Sequence, residues 1–141
     1  MMTPLTLTHP TAGPGGTPQT VVLPEQLAWT DEFEWQPVVQ AIEYSTTGAL
    51  LLDVATKQAG RPITLEGSET RAWCQRGALL TLQAWSWQAG VELNLAGLRS
   101  GPSRQVVFNH AGGAVKAVPV IDYADPTDDQ PYAITLMFLE I

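Results

Sequence analysis

Residues 44–68, YSTTGALLLDVATKQAGRPITLEGS, contain the signals that decide the fold of this chain. The runs ALLLDV (49–54) and PITL (62–65) have the apolar and β-branched content of strands, and a glycine precedes each run. The polar segment between them, ATKQAG (55–60), is short enough for a hairpin loop. The stretch therefore predicts a long β-hairpin with a polar tip, followed by a helix whose N-cap is Ser68.

One helix is predicted, at about residues 69–88. Glu69 would lie in its first turn, where a carboxylate meets the positive end of the helix dipole. Apolar or small residues recur at helical spacings of four, three, four and three, which is typical of a helix face that packs on a sheet. These residues are Trp73, Gly77, Leu80, Ala84 and Trp87. Gly90 is placed to end the helix.

The rest of the chain alternates short β-prone runs with Gly- and Pro-containing turns, which predicts about seven or eight strands in all. In WTDEFEW (29–35), the three aromatic side chains would share one face of a strand. The closing run YAITLMFLEI (132–141) is apolar on both faces, as expected for a strand that is covered twice. We therefore predict a mainly β fold, a β-sandwich or partly open barrel with one flanking α-helix.

Two segments are predicted along the chain. Residues 1–20 are rich in Thr, Pro and Gly, a composition that favours a flexible or extended N-terminal arm because it buries little apolar surface. Residues 21–141 then form a single β-sandwich domain, a size at which a chain folds without disulfides or metals.

Charge and composition exclude several classes of function. The net charge is −7 with only two lysines, which argues against a protein that binds nucleic acid along its phosphates. Charged residues make up 15% of the chain, against about 25% in typical soluble domains, so partner subunits are expected to cover part of the exterior. Cys74 is the only cysteine, which fits a reducing cytoplasm. Neither a membrane span nor a secretory signal is expected.

No catalytic or cofactor motif is visible in the sequence. His9 and His110 are the only histidines and do not have the spacing of a zinc site. Cys74 has Arg71 and Arg76 nearby, but no base accompanies it, so we interpret it as a structural thiol. We predict a protein that is not an enzyme and that carries no cofactor and no metal.

One acidic loop is a candidate for binding or electrostatics. Its members are Asp122, Asp125, Asp128 and Asp129. Closely spaced carboxylates suit a hard cation such as calcium, but the loop lacks the glycine and the final glutamate of an EF-hand. A solvated or inter-subunit acidic loop is therefore favoured over a metal loop.

The chain has five tryptophans, which leaves an alternative function open. Aromatic rings stack on sugars, so Trp29 and Trp35 could serve a monomeric carbohydrate-binding β-sandwich module. Aromatic residues are also enriched in cores and at the centres of protein interfaces. We favour the core or interface interpretation, and the carbohydrate-binding module remains the alternative.

Several segments resemble small tail proteins of long-tailed bacteriophages and prophages. The similarity covers roughly residues 23–141 and is to distal tail proteins and to the tail-tube proteins whose fold they share. It is carried by LPEQLAWTDEFEW, YSTTGAL, QAGRPITLEG, the helix with Trp73, VVFNH, and the closing YADP and LMFLEI segments.

This resemblance implies a tail-tube-like fold and a structural role. The protein would be a virion component, assembled in the host cytoplasm, that forms a hexameric ring around the DNA channel and joins the tail tube to the tip or baseplate. A ring of three copies is the alternative. Its partners would be further copies and other tail or baseplate proteins, with DNA passing through unbound and no membrane involved. If the acidic loop or the acids at 31–34 line the channel, they would repel phosphates.

Four residues of the opening stretch are candidate subunit contacts or scaffold positions. They are Leu50, Leu52, Arg61 and Ile63. The apolar strand and polar tip of the expected hairpin suit a segment that reaches a neighbouring subunit, and open strand edges could pair across subunits. None of the four is expected to be catalytic.

Overall fold

The computed structural model describes residues 4–24, 26–121 and 124–141, so Asp122 of the acidic loop lies outside the described residues. The protein is mainly β, with 44% strand and 15% helix. Its antiparallel sheets and its α-helix agree with a β-sandwich that has one helix, so the predicted fold class is confirmed.

Eleven strands and one α-helix lie within the described residues. They are β1 (Thr6–His9), β2 (Gln19–Val22), β3 (Ala28–Trp29), β4 (Val38–Tyr44), β5 (Leu50–Thr56), β6 (Arg61–Glu66), β7 (Trp73–Gln75), α1 (Arg76–Ser86), β8 (Leu93–Ala96), β9 (Arg104–Phe108), β10 (Val115–Pro119) and β11 (Pro131–Glu140).

Strand β11 organises the body of the molecule because it pairs with four other strands. Its second half lies between β9 and β6 in a sheet of order β2-β1-β8-β9-β11-β6-β3, and its first half pairs with β10 and β7. Alternate side chains in the middle of β11 are buried, with Ile134, Leu136 and Phe138 at 0–1% exposure, and the other side chains of the strand are half-buried. The apolar content of this strand is thus used by the core, against which α1 packs.

The prediction of an N-terminal arm is wrong for Thr6–His9, which form β1. This strand lies inside the sheet, between β2 and β8. Leu5, Leu7 and His9 are buried, and the His9 ring forms hydrogen bonds with Gln88 (2.8 Å) and with the backbone N–H of Thr11 (3.1 Å). The period-two burial of these side chains outweighs the Pro- and Gly-rich composition around them.

The helix is shorter than predicted. It begins after Gln75 rather than after Ser68, because Ala72 adopts a left-handed φ of 57° and the next three residues pair with β11 as strand β7. Its buried residues are Leu79, Leu82, Trp85 and Ser86. The stripe that was expected to face the core therefore points outward, with Leu80 42% and Trp87 77% exposed.

The hairpin has a different tip from the predicted one. Strand β5 pairs with β4, not with β6, so the tip is residues 45–49 and the segment ATKQAG leads from the hairpin into the main sheet. The predicted strand at 29–35 is also wrong beyond Trp29: the following residues form a turn, and Phe33 is 89% exposed.

Candidate functional site: an exposed β-hairpin

Strands β4 and β5 form a two-stranded sheet of their own. Seven residue pairs join them, from Val38 opposite Thr56 to Tyr44 opposite Leu50. Every residue of both strands is exposed. At the base, the N–H of Lys57 donates to the carbonyl of Pro37 over 2.8 Å, which closes the ladder where the chain returns to the body.

The tip is held by a compact hydrogen-bonded turn. The Ser45 N–H donates to the Ala49 carbonyl (2.9 Å), and the Ser45 hydroxyl accepts the Ala49 N–H (3.0 Å). Gly48 has a φ of 86° and donates to the Ser45 carbonyl over 3.0 Å. A left-handed residue is needed at this point of the turn, which explains the glycine.

The register divides the hairpin into two faces of different character, because residues directly opposite each other point to the same side. The uncharged face carries Val38, Gln40, Ile42, Tyr44, Leu50, Leu52, Val54 and Thr56. The acidic face carries Val39, Ala41, Glu43, Leu51, Asp53 and Ala55. The uncharged face thus has six large apolar side chains and no charge, whereas both carboxylates of the hairpin lie on the other side.

The apolar side chains of the uncharged face are far more exposed than a folded chain normally leaves them. Ile42 is 59% exposed, Tyr44 72% and Val54 58%. An isolated two-stranded hairpin is at best marginally stable in water, and contiguous apolar patches larger than a few hundred Å² mark interaction sites. The exposed hairpin is therefore the candidate binding element among the described residues.

A cluster of aromatic and charged side chains links neighbouring strands of the main sheet. The guanidinium groups of Arg61 and Arg104 lie 4.7 Å and 5.3 Å from the Trp29 ring centre. Arg61 donates to the Glu32 carbonyl (2.6 Å), and Arg104 pairs with Glu140 (2.8 Å). These contacts join β3, β6, β9 and β11 in the main sheet, to which the chain returns after the hairpin.

The structure separates the four predicted contact residues. Leu50 and Leu52 lie on the uncharged face, 53% and 50% exposed. Arg61 is the first residue of β6 in the main sheet, where it is half-buried against Trp29. Ile63 is fully buried in the core. Its side chain therefore acts as a scaffold for the sheet, and it is not available as a contact to another subunit.

The described part of the acidic loop lies on the surface near the start of α1. Asp125, Asp128 and Asp129 are exposed. The Asp128 carbonyl accepts the Gly77 N–H (2.8 Å), and the Asp129 carboxylate accepts the Thr127 hydroxyl. Among the described residues, no three His, Cys, Asp or Glu side chains are grouped so that they could hold a metal ion.

The side chains considered for chemistry or sugar binding have other surroundings. Cys74 is 3% exposed, and burial raises the pKa of its thiol to about 11, so it stays protonated at neutral pH. Trp29 is 6% exposed and has two guanidinium groups on its ring, which removes it as a sugar platform. Within the described residues, no helix has the length and apolarity needed to cross a membrane.

Two functional features were missed at the level of sequence: the pair of acids Glu43 and Asp53 on one hairpin face, and the outward stripe of α1. Alternation along VVQAIEY and ALLLDV held the first signal, but the pairing of β4 with β5 was needed to place both acids on one side.

No family model matches the chain, and comparison with curated proteins and with solved structures gives no match.

Proposed function

We propose that this protein is a structural subunit of a bacteriophage tail tip or baseplate, where copies of it form a ring around the DNA channel and join the tail tube to the tip. The hairpin carries this proposal. It contributes no buried residue to the fold of its own chain, yet it presents an apolar face that water does not favour. A segment of this kind gains its stability in an assembly.

The resemblance to phage tail proteins supplies the kind of assembly. The segments that carry the resemblance lie in the hairpin and in central strands: YSTTGAL spans the hairpin tip, QAGRPITLEG contains β6, and LMFLEI covers the second half of β11. A ring of six copies follows from that resemblance, and three copies remain an alternative. The partners are further copies and neighbouring tail proteins.

Charge supports a channel through which DNA slides. Each copy contributes a net charge of −7, and a ring multiplies this by its copy number. Carboxylates on a channel wall repel phosphates and keep DNA from adhering. Glu43 and Asp53 share the acidic face of the hairpin, and they join Asp125, Asp128 and Asp129 as candidates for this wall.

The test removes the hairpin and measures assembly. A variant in which a two-residue Asn-Gly turn replaces residues 38–56 keeps the whole core, since none of the deleted residues is buried. We expect the full chain to form ring-sized particles, either alone or when it is mixed with its tail neighbours. Light scattering and electron microscopy measure the size of these particles. The deletion variant, 17 residues shorter than the 15.2 kDa chain, should remain a folded monomer of about 13 kDa with an unchanged unfolding midpoint.

Leu52→Lys and Leu51→Lys form a matched pair for the same measurement. The two leucines are neighbours on β5 with 50% and 51% exposure, but they point to opposite faces. Leu52→Lys places a charge on the uncharged face and should abolish assembly, whereas Leu51→Lys faces Glu43 and should leave it intact. Assembly of the deletion variant would show that the hairpin is not the element that drives assembly. A wild-type monomer whose tryptophan fluorescence is quenched by saccharides would instead favour the carbohydrate-binding alternative.

A further inference from the structure

We infer that the buried ring of His9 is an acid-sensitive latch, which holds the connection between β1 and β2 (residues 10–18) to the end of helix α1 only while the ring is neutral. His9 is the last residue of β1 and is 5% exposed. A second proton on the ring would break the hydrogen bond that closes the latch, and the connection would be released. The inference concerns the body of the molecule and does not rest on the proposed assembly role.

Two hydrogen bonds fix the protonation state of the ring. The backbone N–H of Thr11 lies 3.1 Å from Nδ1 of His9, and because an N–H can only donate, Nδ1 must accept with its lone pair. A neutral ring whose Nδ1 accepts carries its proton on Nε2, which donates to Oε1 of Gln88 over 2.8 Å. A half-turn of the ring would put carbon atoms in both positions and lose both bonds. The native ring is therefore the neutral tautomer with its proton on Nε2.

The ring joins two segments that are far apart in the sequence. Gln88 lies two residues beyond the end of α1, and the Trp85 ring of that helix lies 5.4 Å from the His9 ring, centre to centre. The hydrogen bonds of Gly13 and Thr17 stay within the connection. The bonds from Thr11 through His9 to Gln88 therefore supply a polar link between the connection and the helix.

A second proton on the ring is incompatible with this arrangement. In the imidazolium both nitrogens are donors, so a proton on Nδ1 would point at the Thr11 N–H, and two donors would face each other over 3.1 Å. Burial adds to the conflict, because a charge removed from water needs a partner of opposite charge or further hydrogen bonds. The ring can take up the proton only when the Thr11 N–H moves away or the ring leaves its site, so proton uptake is coupled to opening.

The elements packed around the ring offer no carboxylate to compensate such a charge. Residues 4–22, which contain β1, β2 and their connection, and residues 93–96 of β8 include no Asp, Glu, Lys or Arg. In α1 the only charged residue is Arg76, at the opposite end of the helix. Glu92 lines a groove with Thr8, whose side chain points to the other face of β1. Among the described residues, the ring forms no ion pair.

Two further groups near Gln88 bear on the charge of the ring. The carbonyl end of α1 attracts a cation, but the carbonyls of Gln83 and Trp85 already accept the N–H groups of Trp87 and Gln88. His110 is exposed and lines the same small groove as Gln88. Because it is the only other histidine, it supplies a matched control for the titration of His9.

Hydrogen exchange of the full chain tests the latch as the pH falls from 7.5 to 5.5. A histidine that becomes exposed on opening titrates at about pH 6.5, so one proton taken up on opening raises the open population about tenfold over this range. We expect the exchange rate of the Thr11 amide, divided by its intrinsic rate at each pH, to rise about tenfold. The Leu136 amide in β11 should show no such rise. Mass spectrometry of fragments that contain these residues measures both rates.

The two histidines give a matched pair of variants. His9→Asn keeps an oxygen acceptor near the position of Nδ1 but cannot take up a proton, so its Thr11 exchange should lose the pH response. His110→Asn should respond like the wild-type protein. Nitrogen NMR of wild-type protein with labelled histidine is a second measurement, which decides even if His9→Asn does not fold: at pH 7.5, Nδ1 of His9 should give the signal of an unprotonated nitrogen.

Several results would overturn the inference. Thr11 exchange that does not respond to pH in the wild-type protein would remove the latch. A response that survives in His9→Asn would belong to another group, and a response that is lost in His110→Asn would belong to that histidine. A His9 ring protonated on Nδ1 in the native protein, with Thr11 exchange unchanged, would show that the site accepts the charge without opening. Each of these results leaves the proposed ring untouched, because none of them measures assembly.

Discussion

The hairpin and strand β11 are built from the same kinds of residue and have opposite surroundings. LLLDVAT in β5 is exposed along its whole length, whereas ITLMF in β11 alternates between buried and half-buried positions. Both segments are good strands, so the local preference for β structure is equal. The difference lies in what each strand packs against: β11 pairs with four strands of its own chain, and β5 pairs only with β4.

Apolar content in a strand therefore predicts that the strand is buried, either in the core of its own chain or against another chain. It does not predict which of the two. Burial of apolar surface within a fold stabilises by about 25 cal/mol per Å², and burial between chains gives a smaller net gain because association costs translational and rotational freedom. The body obtains this within one chain. The hairpin can gain stabilisation from apolar burial only from a partner. The stability of the body is therefore separate from that of the hairpin.

The largest contrast is expected between Phe138→Ala and Tyr44→Ala. Phe138 is fully buried and lies 5.2 Å from the Phe108 ring, so its truncation should lower the free energy of unfolding by about 3–5 kcal/mol. Tyr44 is 72% exposed, so its truncation should change that free energy by less than about 0.5 kcal/mol. Urea unfolding of the monomer measures both. A loss above that range for Tyr44→Ala would show that the body depends on the hairpin.

A second contrast concerns thiols. Burial raises the Cys74 pKa from 9.0 to about 11, whereas a thiol placed on the hairpin by Leu52→Cys should titrate normally. At pH 8 the thiolate fractions then differ by about a hundredfold, and iodoacetamide should alkylate the hairpin thiol faster by a similar factor. Equal rates in the native protein would contradict the burial of Cys74, and urea should remove the difference.

The same shift makes stability depend on pH in one direction. The Cys74 pKa is higher in the folded state than in the unfolded state, so the native state binds the thiol proton more tightly. Between the two pKa values, the native state therefore loses stability as the pH rises. The free energy of unfolding should fall by up to roughly 2–3 kcal/mol as the pH rises from 9 to 11. Cys74→Ala is the control and should lack this part of the pH dependence.

The sequence was sufficient for the fold class and for most strands, because alternation and turn residues are local signals. Gly48 and the apolar run after it correctly indicated a strand bounded by a turn. Which strands pair is a long-range property, however, and ATKQAG resembled a hairpin tip as much as the true tip did. For the same reason β1 was taken for an arm, since only its pairing with β8 reveals that Leu7 is covered.

The candidate site was predicted in part. Leu50 and Leu52 were assigned to a contact segment from their apolar character, and they lie on the uncharged hairpin face. Ile63 has the same character and lies in the core. The spacing of Leu80, Ala84 and Trp87 correctly indicated one side of a helix, but a periodicity specifies which residues share a face and not what that face meets.

The smallest contrast is expected from two glycines in equivalent backbone conformations. Gly48 at the hairpin tip has a φ of 86°, Gly15 between β1 and β2 has a φ of 69°, and an added Cβ would meet no atom within 4 Å at either position. Alanine at each site should therefore cost only the left-handed strain, about 1–2 kcal/mol. Gly48→Ala should speed amide exchange in the β4–β5 ladder at least about fivefold and leave the body unchanged, because the two regions are stabilised separately. Gly15→Ala should lower the unfolding free energy of the body and leave hairpin exchange unchanged, and a common response of both regions to either substitution would show that they fold as one unit.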